Sequence, residues 1–356
     1  MKNLKDNNIK VIHIPEICQY NEFIDRTITI QKNKNITVLD TGICIDAETG
    51  GTNNLLDALK YKKNGNDKLV VHFHWPEKLY KDLSFEEFKR QIEILKGNDI
   101  KLVKTLHNLS PHEMTSDNKL KDDYLYNKLD GVILFSKSQL ESYIEVKNIT
   151  KKVEVIPHPN YNIKEMNEKA ISNEKKFTLC VPGRIRQYKQ TDIILDILDE
   201  IKNDKVQILV VGKPDDKQII EKLKKSSSNS LKCIFKFVPS NELVIYLKNS
   251  DMVLLTHKKI WTSGIAILSG NLGITLVGTL PKIFEDYNYN ELGYFLEKDE
   301  EPNSKNLIKL INLAISDGKI TMNRKAQNLK DILSKNTDKE IGKMYYKFYN
   351  NLFDKE

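Results

Sequence analysis

The sequence predicts an α/β protein built from two doubly wound parallel-sheet domains in tandem. Three observations predict it. Short apolar runs of strand length recur between stretches of helical period, and this rhythm stops at a polar segment, residues 161–176, before it restarts. At 356 residues the chain also exceeds the size at which one hydrophobic core usually keeps growing.

In the first half the apolar runs are Val11–Ile14, Ile36–Leu39, Leu69–Phe73, Leu102–Thr105, Gly131–Phe135 and Val153–Ile156, with helical patterns such as Phe85–Leu95 between them. Parallel strands need crossovers of about a dozen residues, which these stretches supply. In the second half the strands are Phe177–Val181, Val206–Val211, Cys233–Phe237, Met252–Leu255 and Ile274–Val277, each followed by a helical pattern or a turn. The expected division is an N-terminal domain over residues 1–165, a second domain over 166–335, and a C-terminal helical segment, 336–356, packing back toward the first. That last segment carries Ile341, Met344, Tyr345, Phe348 and Leu352 near one helical face. In the second domain the short stretch KSSSNS, residues 225–230, reads as a loop and is the one low-complexity tract of the chain.

Composition narrows the function classes. Forty per cent hydrophobic and 29% charged residues describe a globular chain, and the formal charge of +7 is spread along it. With no basic block or tail, a nucleic-acid partner is not expected, whereas phosphate-bearing substrates and an anionic membrane surface suit a mild positive excess. Cys18, Cys44, Cys180 and Cys233 are far apart in apolar settings, as expected of buried free thiols in a reducing, cytoplasmic compartment. The N-terminal stretch has no long apolar segment of the signal-peptide kind, and no run reaches the roughly 18 apolar residues of a membrane span. G-x-G-x-x-G, P-loop, H-E-x-x-H and G-x-S-x-G motifs are absent.

Ligands of open α/β sheets bind beyond the carboxyl ends of strands, so the strand exits are the places to look. After Phe177–Val181 comes Gly183-Arg184-Ile185-Arg186-Gln187-Tyr188-Lys189, then an apolar helix at Ile193–Leu198. Gly183 permits a tight turn, and Arg184 and Lys189 place two cations near a helix start, a phosphate-binding arrangement. The alternative is ordinary surface cations on a loop. After Met252–Leu255, Trp261-Thr262-Ser263-Gly264 opens a helix over Ile265–Asn271, with Ser263 a competent N-cap whose helix end suits a second phosphate or a sugar hydroxyl. Lys213, in the turn Gly212-Lys213-Pro214, is positioned for the same ligand or is a surface residue. In the first half, His72-Phe73-His74-Trp75-Pro76-Glu77 and the stretch from Thr105 through His107, Asn108 and His112 to Glu113 leave strand ends. Dense His, Trp, Asn and Glu there suit hydroxyl binding and proton transfer. A zinc site is the rival for these four His and two Glu, but their spacings match no standard ligand set.

In their order along the chain these residues resemble the family-4-like glycosyltransferases of the GT-B fold, whose two Rossmann-like domains face each other across a cleft. The resemblance runs through G-R-x-x-x-x-K at Gly183–Lys189, G-K-P at Gly212–Pro214, Phe237-Val238-Pro239, Asn249-Ser250-Asp251 and Ser263-Gly264 with Gly273. In the first half it runs through H-W-P-E at His74–Glu77, T-L-H-N at Thr105–Asn108, Phe135-Ser136 and Val155–His158. It implies a transferase that moves a hexose from a nucleotide-diphosphate sugar to a glycan or lipid-linked acceptor, in bacterial surface polysaccharide or glycolipid synthesis at the inner face of the membrane. By position it gives Gly183, Lys213, Thr262, Ser263 and Gly264 to the donor, and Arg184 and Lys189 to its diphosphate. There the two cations stabilise the leaving group without a metal or other cofactor, and the chain has no Asp-x-Asp pair. His107 then approaches the donor sugar, and His74, Trp75, Glu77 and Asn108 face sugar or acceptor.

One departure stands out: residues 260–273 contain no acidic residue, where the family's Glu-x7-Glu element belongs. Thr262-Ser263-Gly264 stands in its place. If transfer retains configuration, the departing phosphate accepts the acceptor's proton; if it inverts, a carboxylate is needed, with Glu113 first and Glu77 second in line. A catalytically inactive carbohydrate-binding relative is the rival from another class. Sugar-nucleotide epimerisation and phosphorolysis are rival chemistries of the same fold.

Overall fold

A computed structural model describes residues 9–15, 22–43, 53–63, 67–109, 115–146, 151–163, 176–201, 205–226 and 228–354. They fall into two compact units: Met1–Pro159 with Asn336–Glu356, and Asn160–Lys335.

The first unit is a six-stranded sheet of Ile9–Ile14 (β1), Ile36–Val38 (β2), Lys68–Phe73 (β3), Lys101–Thr105 (β4), Gly131–Leu134 (β5) and Lys152–Val155 (β6). Every pairing is parallel, and the spatial order is β2-β1-β3-β4-β5-β6. The strands are apolar because both faces are covered, as parallel sheets require. Helices Glu22–Lys32 (α1), Glu77–Asp82 (α2), Phe85–Gly97 (α3), Ser116–Lys128 (α4) and Lys137–Val146 (α5) supply crossovers. Ser84 caps α3 by accepting the Glu87 N–H at 3.2 Å, and Thr115 caps α4 in the same way through Asn118.

In the second unit the strands are Phe177–Pro182 (β7), Val206–Gly212 (β8), Leu231–Phe235 (β9), Met252–Leu255 (β10), Thr275–Gly278 (β11) and Tyr294–Phe295 (β12). Again all pairs are parallel, in the order β12-β11-β10-β7-β8-β9. Its helices are Ile193–Ile201 (α6), Lys217–Lys225 (α7), Ser240–Lys248 (α8), Gly264–Leu272 (α9) and Ser304–Ser334 (α10), the last bent at Gly318 where φ is 77°. Leu307, Ile311, Ala314 and Met322 of α10 close the core of this unit. The chain then returns to the first unit as Asp338–Asn351 (α11), where Ile341, Tyr345, Phe348, Tyr349 and Leu352 pack on Val11, Val70, Val103 and Ile133, side chains from one face of that sheet.

The structure corrects two expectations. The strand expected at Cys233–Phe237 is Leu231–Phe235, because its register with β8, from Ile208 opposite Leu231 to Gly212 opposite Phe235, ends there and leaves Phe237 45% exposed. Cys180 is a buried free thiol that burial pushes up to about 12, but Cys233 lies on the edge strand and is only half-buried. Cys18, Cys44 and most of the polar segment 161–176 lie outside the described residues. Among the described residues no helix is long and apolar enough to cross a membrane.

Candidate active site

Each sheet has one point where the strand order reverses, β1 beside β3 in the first unit and β7 beside β10 in the second. Adjacent crossovers leave in opposite directions there and open a crevice at the carboxyl ends. Both clusters of candidate residues sit at these points.

In the second unit β7 runs out at Pro182 into Gly183, whose φ of 106° lies in the left-handed region open to glycine. The loop stays beside the exit of β8: Gly183 N–H donates to the Val211 carbonyl at 2.8 Å and Ile185 N–H to that of Lys213 at 2.9 Å. A Cβ on Gly212 would stand 1.8 Å from the Gly183 carbonyl oxygen, so the two loops meet backbone to backbone. The same contact brings Asp215 beside the first loop. Its carboxylate accepts Nε–H bonds from both Arg184 and Arg186, the latter at 3.1 Å, and so holds both guanidinium groups in place.

Lys189 ends a 3-10 turn, with its carbonyl accepting the hydroxyl of buried Thr256 just beyond β10. Its ammonium lies over Gly183, where a Cβ would come within 2.8 Å of Nζ. The same point is 3.8 Å from Ile265 Cγ1, in the first turn of α9. Ser263 caps that helix by accepting the Ala266 N–H at 3.2 Å. Gly264 is bare for another reason: the Tyr161 hydroxyl lies 2.5 Å from where its Cβ would be. Bare backbone, a cation and a helix N-terminus thus converge on one spot, with three cations against the single carboxylate of Asp215. That is the chemistry of an anion site. Burial first, then Arg186 and Arg184, lower the Lys189 pKa to about 8, with Asp215 opposing. Thr262 is half-buried beside Ser263, and Lys213 is exposed.

In the first unit β1 and β3 present His13, His72 and His74, all buried. His13 Nδ1 lies 2.9 Å from His74 Nε2, and His13 Nε2 lies 2.9 Å from Gln31 Oε1. The Gln31 amide donates to the Tyr349 hydroxyl at 3.0 Å, which lies 2.7 Å from His72 Nδ1, while His72 Nε2 lies 2.7 Å from Thr105 Oγ1. His107, at the exit of β4, joins through Nε2 at 3.5 Å from His74 Nδ1. Trp75 stacks on His107 with ring centroids 3.9 Å apart, and Phe23 of α1 meets it edge-on at 4.7 Å. Burial, the largest cause in each case, lowers the pKa of His13 to about 4 and those of His72, His74 and His107 well below the usual histidine value. These are neutral imidazoles at pH 7.

Beside them a pocket is lined by His74, Trp75, Glu77, Lys104, Asn108 and Asp122, among others. Burial raises the Glu77 pKa, with Lys104 opposing. Lys104 pairs with Asp122, which also accepts the Tyr80 hydroxyl at 2.8 Å. Glu113 lies outside the described residues.

The structure therefore brings Gly183, Arg184, Lys189, Ser263 and Gly264 into one cluster, and His74, Trp75, Glu77, His107 and Asn108 into another. Residue reading missed Arg186, Asp215 and Thr256 in the first and His13, Gln31, Lys104 and Tyr349 in the second. Arg186 was within reach, since alternate residues of an extended segment share a side. The others come from distant strands and helices with no local signature.

Residues 162–331 match the family described as Glycosyl transferases group 1. The second unit is a group 1 glycosyltransferase domain. Among curated proteins the chain is similar to the GDP-mannose:glycolipid 4-beta-D-mannosyltransferase of Xanthomonas campestris pv. campestris, 24% identical over 223 residues, which are 57% of this chain and 59% of that protein. The match thus spans about three fifths of the relative's length. Among solved structures, HepE from Anabaena, in complex with UDP and glucose, superposes with a TM-score of 0.68 over 96% of this chain and 99% of its own, at 14% identity. A glycosyltransferase from Rickettsia africae gives 0.69 over 99% and 100%, also at 14% identity. The fold is GT-B.

Proposed function

We propose that the chain is a hexosyltransferase that moves a sugar from a nucleotide-diphosphate donor to a glycan or lipid-linked acceptor. What carries the reading is the bare-backbone spot of Gly183, with the Lys189 ammonium on one side and the first turn of α9 on the other. A diphosphate lying there meets the charge of Lys189, the guanidinium groups on Asp215 and the free N–H groups of α9. All of these strengthen as the bond to the sugar breaks and charge gathers on the leaving phosphate. The cations supply what a metal supplies in other transferases, and the reading needs no cofactor.

On this reading Lys213, Thr262, Ser263 and Gly264 complete the donor site. Trp75, His107 and Asn108 face sugar, with His74 behind His107. Where transfer inverts configuration, Glu113 is first in line to take the acceptor proton and Glu77 second: burial favours the proton-bound form of Glu77, which raises its strength as a base. The similar mannosyltransferase is named for GDP-mannose and a glycolipid, and HepE was solved with UDP, so GDP and UDP are the donors to try first. A glycolipid acceptor places the work at the cytoplasmic face of a membrane, held by peripheral contact with anionic headgroups.

Calorimetric titration of UDP, GDP and ADP into the wild type and into a variant with Arg184→Ala and Lys189→Ala tests this. One nucleotide should bind, and the double substitution should abolish the heat. Absence of binding by all three would overturn the transferase reading.

A further inference from the structure

The buried histidines of the first unit form a single hydrogen-bonded chain rather than a set of separate contacts. Its order is His107, His74, His13, Gln31, Tyr349, His72 and Thr105, linked at 3.5, 2.9, 2.9, 3.0, 2.7 and 2.7 Å. A neutral imidazole has one donor nitrogen and one acceptor nitrogen, so the proton on one ring dictates the next. With the Gln31 carbonyl toward His13, His13 must donate from Nε2 and accept at Nδ1. His74 then donates to it from Nε2, and His107 donates to His74 from Nε2. On the other arm the Gln31 amide donates to Tyr349, Tyr349 donates to His72 Nδ1, and His72 donates from Nε2 to Thr105. Turning the Gln31 amide over reverses every bond, and all four rings then carry the proton on Nδ1. Only these two arrangements satisfy the whole chain.

We infer that Gln31 is a positioning residue whose amide orientation, relayed through His13 and His74, sets the tautomer of His107 in the pocket wall. With Gln31 turned as here, His107 has its proton on Nε2 and its other nitrogen is an acceptor. Tyr349 ties the same choice to α11, the helix that returns from the far end of the chain. Neutral rings are a condition of the device, and burial supplies it. The protein holds the rings from both sides: α1 brings Gln31, α11 brings Tyr349, and none of Gln31, His13 and Tyr349 is exposed to solvent.

A metal ion is the competing use of this cluster, because His13, His72 and His74 offer ring nitrogens all within 4.8 Å of one another. The hydrogen bonds argue against it. Both nitrogens of His13 and both of His72 already have protein partners, and a metal must displace one on each ring.

Long-range proton–nitrogen correlation spectra of the full chain, labelled with 15N histidine at pH 7, test the inference. Each ring is identified by substituting the seven histidines in turn. His13, His72, His74 and His107 should show one common tautomer, with the proton on Nε2. Gln31→Leu should leave His107 a mixture of tautomers, while Tyr349→Phe should release His72 from the common tautomer. Unlike tautomers among the four rings in the wild type would overturn the inference, and so would stoichiometric zinc in the purified protein. An unchanged His107 in a folded Gln31→Leu protein would do the same. The wild-type spectrum needs no variant, so a variant that fails to fold leaves the test standing. No donor or acceptor enters the measurement, so its failure and that of the transferase reading are separate events.

Discussion

Lys189 is a side chain held where its own charge is disfavoured. Its pKa near 8 means that burial beside two guanidinium groups disfavours the charged form. The unfolded chain binds the proton more tightly, so between pH 8 and the ordinary lysine value near 10.5 stability rises with pH, and below 8 the full cost is present. The cost is at most about 3 kcal/mol at neutral pH. Lys189→Met is expected to raise the melting temperature at pH 7 while removing nucleotide affinity, which thermal denaturation and calorimetry on one preparation will check. Wild-type affinity for the diphosphate should fall as pH rises from 7 through 9, and the variant's residual binding should lack that dependence. Glu77 makes the matching case in the first unit. Its raised pKa favours the neutral carboxyl in the fold, so that contribution is present at low pH and is lost as pH rises through the folded value. If Glu77 is the base, Glu77→Gln should lower kcat by roughly 100-fold or more without lowering the melting temperature at pH 7.

At the scale of elements, the candidate anion site around Gly183 depends on two loops fitting without side chains and on one helix end. Gly212→Ala drives a Cβ into the Gly183 carbonyl, a backbone atom that cannot step aside. The variant should lose about 3 kcal/mol or more of stability in denaturant titrations, or fold with the Gly183 loop displaced and nucleotide binding gone. Ser263→Ala removes the cap that Ser263 provides to α9, so a loss of about 1 kcal/mol of stability is expected, again read from denaturant titrations. The strands and the α9 cap were legible in the sequence because each follows from local chemistry: apolar runs for strands buried on both faces, and a serine ahead of an apolar stretch. The two-residue strand β12 and the 31-residue α10 were not. Two residues carry no period, and α10 bends at Gly318, which breaks the phase of its apolar face.

For the whole molecule, α11 is the element whose removal is most informative. Phe348 and Tyr349 are buried against the first sheet, Gly131 is bare where the Phe348 ring comes within 2.6 Å of its would-be Cβ, and Arg26 of α1 holds Asp338 at 2.6 and 2.8 Å. Ending the chain after Lys335 uncovers that apolar face, while the second unit keeps its own core. Calorimetry should then show one cooperative transition, belonging to residues 160–335, and proteolysis should degrade the first unit while sparing the second.

The sequence by itself determined the parallel α/β class and that Gly183, Arg184, Lys189, Ser263 and His107 follow strand ends, because apolar period, glycine placement and cation spacing are local properties. Only the tertiary structure decided that Asp215 gathers two arginines, that Thr256 anchors the turn of Lys189, and that His13, Gln31 and Tyr349 stand behind His74 and His107. These contacts join residues up to 318 positions apart, between Gln31 and Tyr349. The physical reason is that a hydrogen bond needs its partners within about 3 Å, and sequence spacing does not encode such a distance between separate strands and helices.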